Sequence, residues 1–171
     1  MGHRLSKDKT APLNQGLYNL ILFLKKPKTI RIGDLGEFFF PRGFYVYTGS
    51  AMRGLTRRVA RHQRRHKPKR WHIDYLRAHC SLVEVKTYPT RRRLECQLNS
   101  HILRLKGAQV LVPKFGSSDC HCKAHLIWFA EGDYQRIKEE LLELRIETIG
   151  SCLLYTSDAA DELDGVDLGG R

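Results

Sequence analysis

No apolar run in this chain of 171 residues approaches the ~20 that a membrane-spanning helix needs. The longest nearly apolar stretch is Leu20-Ile21-Leu22-Phe23-Leu24. The first fifteen residues are polar and basic, unlike a signal peptide. Membrane insertion and secretion are therefore not expected, and the expected location is cytoplasmic. A disulfide framework is lacking too, because five cysteines at irregular spacings form neither an even set nor a recognisable pattern. Acidic residues are scarce where they would matter most: none lies between Glu37 and Asp74.

What is present is enough apolar residue, 42 %, to bury the core of one ordinary domain, with an excess of cations that gives a net charge of +12. The acid-free window holds Arg53, Arg57, Arg58, Arg61, Arg64, Arg65, Lys67, Lys69 and Arg70, with His62 and His66 among them. Such self-repulsion is relieved by a polyanion, which points to phosphate binding rather than to an ordinary solvated helix. Arg53, Arg57, Arg61, Arg64, Arg65, Lys67, Lys69 and Arg70 are the candidate nucleic-acid contacts. From Cys152 the charge reverses, with five acidic residues against one basic. The run Cys152-Leu-Leu-Tyr-Thr-Ser157 is what the end sequence of a transposase-made sequencing library encodes, so residues 152–171 read as translated adapter, with the natural C-terminus missing. Residues 1–15 read as a flexible basic arm and 16–151 as the domain, with 29 basic against 13 acidic residues in positions 1–151.

The patterning of 16–151 predicts a mixed α/β (α+β) fold. Residues 17–24 and 38–48 read as antiparallel strands of a meander. A basic helix follows from Leu55, broken near Pro68, and then a short helix around Trp71–His79. Leu82 to Tyr88 is a strand. Leu94, Leu98, Ile102 and Leu105 recur at helical spacing, which predicts a helix over 91–106 with Thr90 as N-cap. Strands at 110–112 and 125–129 and a last helix over 134–144 complete the chain, and no internal repeat is found.

Two tyrosine-glycine elements stand on the meander, Gly16-Leu17-Tyr18 and Tyr47-Thr48-Gly49. Taken with Arg58 and His62 one turn apart and a glutamate on a later helix, their order resembles the GIY-YIG nuclease superfamily. It is most similar to a small prokaryotic branch labelled a domain of unknown function and sometimes joined to endonuclease III-type glycosylases. Phe44-Tyr-Val-Tyr-Thr-Gly-Ser-Ala51, Trp71-His-Ile-Asp-Tyr-Leu76 and Phe115-Gly-Ser-Ser-Asp-Cys-His-Cys122 look like that branch. The resemblance implies a central antiparallel sheet flanked by helices, here with an extended hairpin around residues 30–40. It also implies a metal-dependent DNA endonuclease that hydrolyses phosphodiesters in a prokaryotic cytoplasm, in DNA repair and with a base-excision glycosylase as a further partner. Tyr18, Tyr47, Arg58, His62 and Glu95 match the catalytic positions, with Glu95 as ligand to one Mg²⁺ or Mn²⁺.

On physical grounds, a phenol of pKa ~10 is ionised to roughly 0.1 % at neutral pH, so Tyr47 could activate water only if a cation lowered that value. Arg58 has the fork that clamps phosphoryl oxygens. His72 is a further catalytic candidate with Asp74 as its orienting acid, or else a helix cap. Trp71 and Tyr75 are either base-stacking surfaces or core. The Cys120, Cys122 and His125 cluster, completed by Cys80 or Cys96, is a zinc candidate, ranked below a plain buried-thiol loop. The alternatives to a nuclease are a non-catalytic nucleic-acid-binding module and a zinc-stabilised RNA-binding protein.

Overall fold

A computed structural model describes residues 13–151. The adapter reading of 152–171 and the first twelve residues of the basic arm lie outside the described residues. Residues 13–15 run along the domain: the Asn14 side chain accepts from the Thr56 backbone N–H at 2.9 Å, and Gln15 O accepts from Thr90 N at 3.0 Å.

β1 (Gly16–Leu24) is the centre of a four-stranded antiparallel sheet. It pairs on one side with β4 (Gly43–Ala51) and on the other with β5 (Ser81–Pro89), while β6 (Leu126–Phe129) joins the far edge of β4. β1 is buried on both faces, which is why its sequence is almost continuously apolar instead of alternating. Even positions Tyr18, Leu20, Leu22 and Leu24 face one core with Tyr45 and Tyr47 of β4. Odd positions Leu17 and Ile21 face the other with Phe44 and Val46. Between β1 and β4 the chain makes a separate ribbon of β2 (Lys28–Ile32) and β3 (Gly36–Phe40), as expected around 30–40. The strand expected over 38–48 is thus two, divided at Pro41, which has no N–H for a ladder.

α1 (Leu55–Gln63) and α2 (His72–Arg77) cover the first core, and α3 (Glu95–Leu103) and α4 (Tyr134–Glu143) the second. α4 is held to β5 by Lys86, whose Nζ donates to Leu142 O at 3.0 Å. Asn14 caps α1 from forty-two residues away, because Gly54 at its own N-cap position has no side chain to do so.

Two local expectations are corrected. The third helix starts at Glu95, not at 91, and Thr90 receives the Arg92 N–H in a turn at 3.0 Å instead of capping a helix. Three arginines in a first helical turn oppose the helix dipole, whereas Glu95 complements it. No strand forms over 110–112, and the segment just before it makes a single bridge, from Gln109 to Trp128. Val112 turns into the core ahead of Pro113, and Lys114 then takes φ 68. The mixed α/β architecture with antiparallel sheets and flanking helices is as expected. Among the described residues no helix is long and apolar enough to cross a membrane.

Candidate metal centre and basic cavity

The start of β1, the end of β4, the first turn of α3 and the loop before β6 meet around a cavity of about 560 Å³. Tyr18, Tyr47, Ser50, Arg58, Glu95 and His125 line it. The glycines of the two tyrosine elements have steric work. A Cβ on Gly49 would collide with the Tyr18 ring lying across it. Gly16, at φ +151, brings its backbone against the Tyr88 carbonyl, where a side chain has no room.

Tyr18, Tyr47, Arg58 and Glu95 therefore converge as the sequence suggests, but their chemistry differs from the expectation. Burial pushes both phenols up, Tyr47 with added repulsion from Tyr18 and Glu95, and the Arg58 charge does not offset it. A tyrosinate that activates water is thereby disfavoured, not promoted. His62 lies behind Tyr18, fully buried, with its Nε2 2.8 Å from the phenol oxygen and its Nδ1 without a partner. Burial, reinforced by Lys67, brings its pKa down to about 3, so the ring is neutral at physiological pH. His72 lies outside the cavity lining, and its Nδ1 accepts the Gly116 N–H at 2.9 Å, tying the loop before β6 to α2. Arg58 donates to Ser50 O at 3.2 Å and stacks on Trp71.

The basic stretch divides into two populations. Arg61 grips Asp74 through two bonds of 2.8 Å, and Lys67, its side chain almost wholly buried, stands 3.6 Å from the same carboxylate. Asp74 also accepts the Arg70 and Trp71 backbone N–H groups at 2.8 and 2.9 Å. Burial opposes its ionisation, but these donors hold its carboxyl down at about 2. Asp74 is therefore an internal counter-ion to Arg61 and Lys67 and not the partner of His72. Arg53, Arg57, Arg64, Arg65, Lys69 and Arg70 remain exposed, without an ion-pair partner among the described residues. Sequence reasoning missed Arg77, whose buried guanidinium closes the C-terminal end of α1 by donating to His62 O and Gln63 O, each at 2.9 Å. An arginine fourteen residues past a helix carries no local signal of that role.

The thiol loop has a definite geometry. One ligand atom each from Cys96, Cys120, Cys122 and His125 lies within 4.8 Å of all the others. Cys96 supplies the fourth position from the first turn of α3, and Cys80 is buried elsewhere, after α2. Four ligands around Zn²⁺ with Zn–S of ~2.3 Å would stand about 3.8 Å apart, so a small contraction of this set closes a tetrahedron. Cys120 Sγ is already 3.4 Å from His125 Nε2. On the other side of the ring, Glu95 Oε1 stands 3.6 Å from the buried Nδ1, an electrostatic contact too long for a hydrogen bond. Glu95 also accepts from Ser50 Oγ at 3.2 Å. Its carboxylate thus stands on the side of the ring where carboxylates behind metal-bound imidazoles stand. Burial raises the Cys96 and Cys122 thiols, whereas Cys120 is lowered because hydrogen bonding from Cys122 and the nearby His125 outweigh its burial. Three thiolates so close together require a cation before all can ionise.

This cluster overturns the magnesium expectation. Soft thiolate and imidazole donors select zinc, whereas Mg²⁺ and Mn²⁺ need oxygen ligands, and Glu95 stands behind His125 in place of heading a carboxylate site. The zinc reading, ranked below a buried-thiol loop from sequence, is the one that the donor set fits. A GIY-YIG catalytic centre and the endonuclease activity expected from it are corrected on the same ground. No curated protein and no solved structure matches the chain. The family model that matches covers residues 17–147 and is described as a domain of unknown function, DUF123; it is not a GIY-YIG-type nuclease family, and the resemblance to that superfamily is corrected. With most of its length within that match, the chain belongs to the DUF123 family.

Proposed function

We propose that this protein is a non-catalytic nucleic-acid-binding module whose binding face is shaped by a structural zinc ion on Cys96, Cys120, Cys122 and His125. The observation that carries the reading is the convergence of those four ligand atoms within 4.8 Å. Zinc, when bound, neutralises the thiolates and replaces hydrophobic packing as the cross-link between α3 and the loop before β6. That loop borders the cavity through Gly116, Asp119 and Cys120, and Arg58 borders it from α1. Fixing the loop therefore fixes one wall of the cavity, which shares Arg58 and Trp71 with the neighbouring concavity lined by outward arginines. Their charge supports a polyanionic partner, since the six exposed cations on one segment have no ion-pair partner among the described residues.

The test has two parts. Purified protein should contain one equivalent of zinc by elemental analysis, and Cys120→Ser should lose it. Binding to single- and double-stranded DNA and RNA should show a log–log salt slope of several units, because each phosphate contact contributes about −0.9 on a duplex and −0.7 on a single strand. Metal-free protein as isolated, or a flat salt dependence, would count against the proposal.

A further inference from the structure

Beside the large cavity, and sharing Arg58 and Trp71 with it, lies a second concavity of about 340 Å³ between α1 and the segment leading to α2. Arg53, Arg57, Arg58, Arg64 and Arg70 surround it, together with Arg61, which already holds Asp74. Trp71 forms its floor. The guanidinium carbons of Arg58, Arg61 and Arg70 stand 4.5, 4.4 and 5.2 Å from the centre of the indole ring. A guanidinium stacked on an aromatic ring keeps its N–H donors in the plane, directed outward from the stack. The indole thus collects cations: Arg61 spends its donors on Asp74 and Pro68 O and Arg58 one of its own on Ser50 O, while Arg70 is exposed, and with three guanidiniums over it the ring is not a platform for a base.

We propose that this concavity is a phosphate-binding pocket that takes a phosphate group of a nucleic-acid strand, with Arg57, Arg64 and Arg70 as the outer donors and Arg58 as the inner one. This deepens the nucleic-acid reading above and rests on it for the identity of the strand. Five guanidiniums without a carboxylate around one concavity repel one another, and a tetrahedral anion with several acceptor oxygens is the ligand that satisfies forks arriving from different directions. Asp74 sets the geometry from behind. By holding Arg61 and the backbone of Arg70 and Trp71, it fixes the floor without placing a negative charge in the pocket.

The chain has two tryptophans, so Trp128→Phe leaves Trp71 as the sole indole reporter. In that background, inorganic phosphate should change the emission of Trp71 saturably against chloride of matched ionic strength. Arg57→Ala/Arg64→Ala should abolish the change and weaken binding of a short single strand about tenfold. Lys25→Ala/Lys26→Ala, which removes the same charge from an exposed turn of the ribbon, should leave the phosphate response intact and weaken strand binding far less. Strands with and without a 5′-phosphate separate the two sources. Tighter binding of the phosphorylated strand places a terminal phosphate in the pocket, and equal binding places an internal one there. No saturable response to phosphate, or equal losses in the two double variants, overturns the pocket. A phosphate response without binding of any strand overturns instead the nucleic-acid reading on which the strand rests.

Discussion

The two faces of the central sheet bury polar groups in opposite ways. Under α3 and α4, Asn19 donates to Thr48 at 2.8 Å and accepts from the Tyr88 hydroxyl at 2.9 Å, a closed network that joins three strands. On the other side and around the thiol loop, where α3 also sends Asn99 to Ala124 O, His62 Nδ1, Asn99 Oδ1, Ser117 Oγ and His125 Nδ1 are buried without a hydrogen-bond partner. Unsatisfied buried groups are destabilising, and a domain that completes one face retains them on the other only where something else holds the structure. The difference teaches that the core under α3 and α4 is scaffold, whereas the opposite side and the thiol loop, which borrows Cys96 from the first turn of α3, are organised by charge and by ligands: Asp74 under the arginines, and zinc in the proposed site.

Removing the metal should break this contrast most strongly. Chelation, or Cys96→Ser, should cost several kcal/mol and lower Tm by roughly 10 °C, measured by calorimetry, with a smaller change marking the thiol loop as dispensable. Asp74→Asn comes next. With Lys67 left buried and Arg61 unpaired, a loss of about 3 kcal/mol is expected. The same variant tests a pH effect: the folded carboxyl lies at about 2, below its unfolded value of 3.8, so its contribution is complete above pH ~4 and is lost as pH falls toward 2. Acid titration of the variant should lack that descent. On the scaffold face, Asn19→Ala strands Thr48 and Tyr88 and should cost about 2 kcal/mol without affecting zinc content or nucleic-acid binding. An effect on either would show that the two faces are not independent. The smallest effect is expected from His62→Gln, under 1 kcal/mol at neutral pH. Its signature lies in the pH profile: wild-type stability should decline from pH ~6.5 toward 3, where the unfolded chain takes up a proton that buried His62 refuses, and the variant should be flatter there.

Much of the scaffold was legible because it is written in local pattern. The continuous apolar run of β1, the punctuation at Gly16 and Gly49 and the 3.6-residue spacing of Leu94, Leu98 and Ile102 each report on their own segment. The site was legible in its ingredients and less so in its assignments. Arg61 and Arg57 are the same residue type one turn apart, yet one faces Asp74 and the other solvent, a distinction made by the turn through residues 64–70 that brings α2 back over α1. Cys96 and Cys80 were equal candidates for the fourth ligand, since the choice depends on which helix packs beside the loop. The late start of the predicted 91–106 helix and the absence of a strand at 110–112 share one cause: tertiary contacts of Leu94 and Val112 decide where the main chain turns.

The position of β1 has a consequence for the order in which the chain assembles. Its first partner, β4, is complete by Ala51, but its second, β5, is complete only at Pro89, and Leu17 pairs with Tyr88 across seventy-one positions of sequence. At ~5–20 residues per second of synthesis, the second edge of an almost wholly apolar strand stays unpaired for several seconds after the hairpin can form. An open apolar edge of that kind is a template for pairing with other chains. Nascent or truncated chains ending before β5 should accordingly aggregate through β1, whereas Asp74, arriving four residues after Arg70, neutralises part of the cationic segment almost as soon as that segment is made.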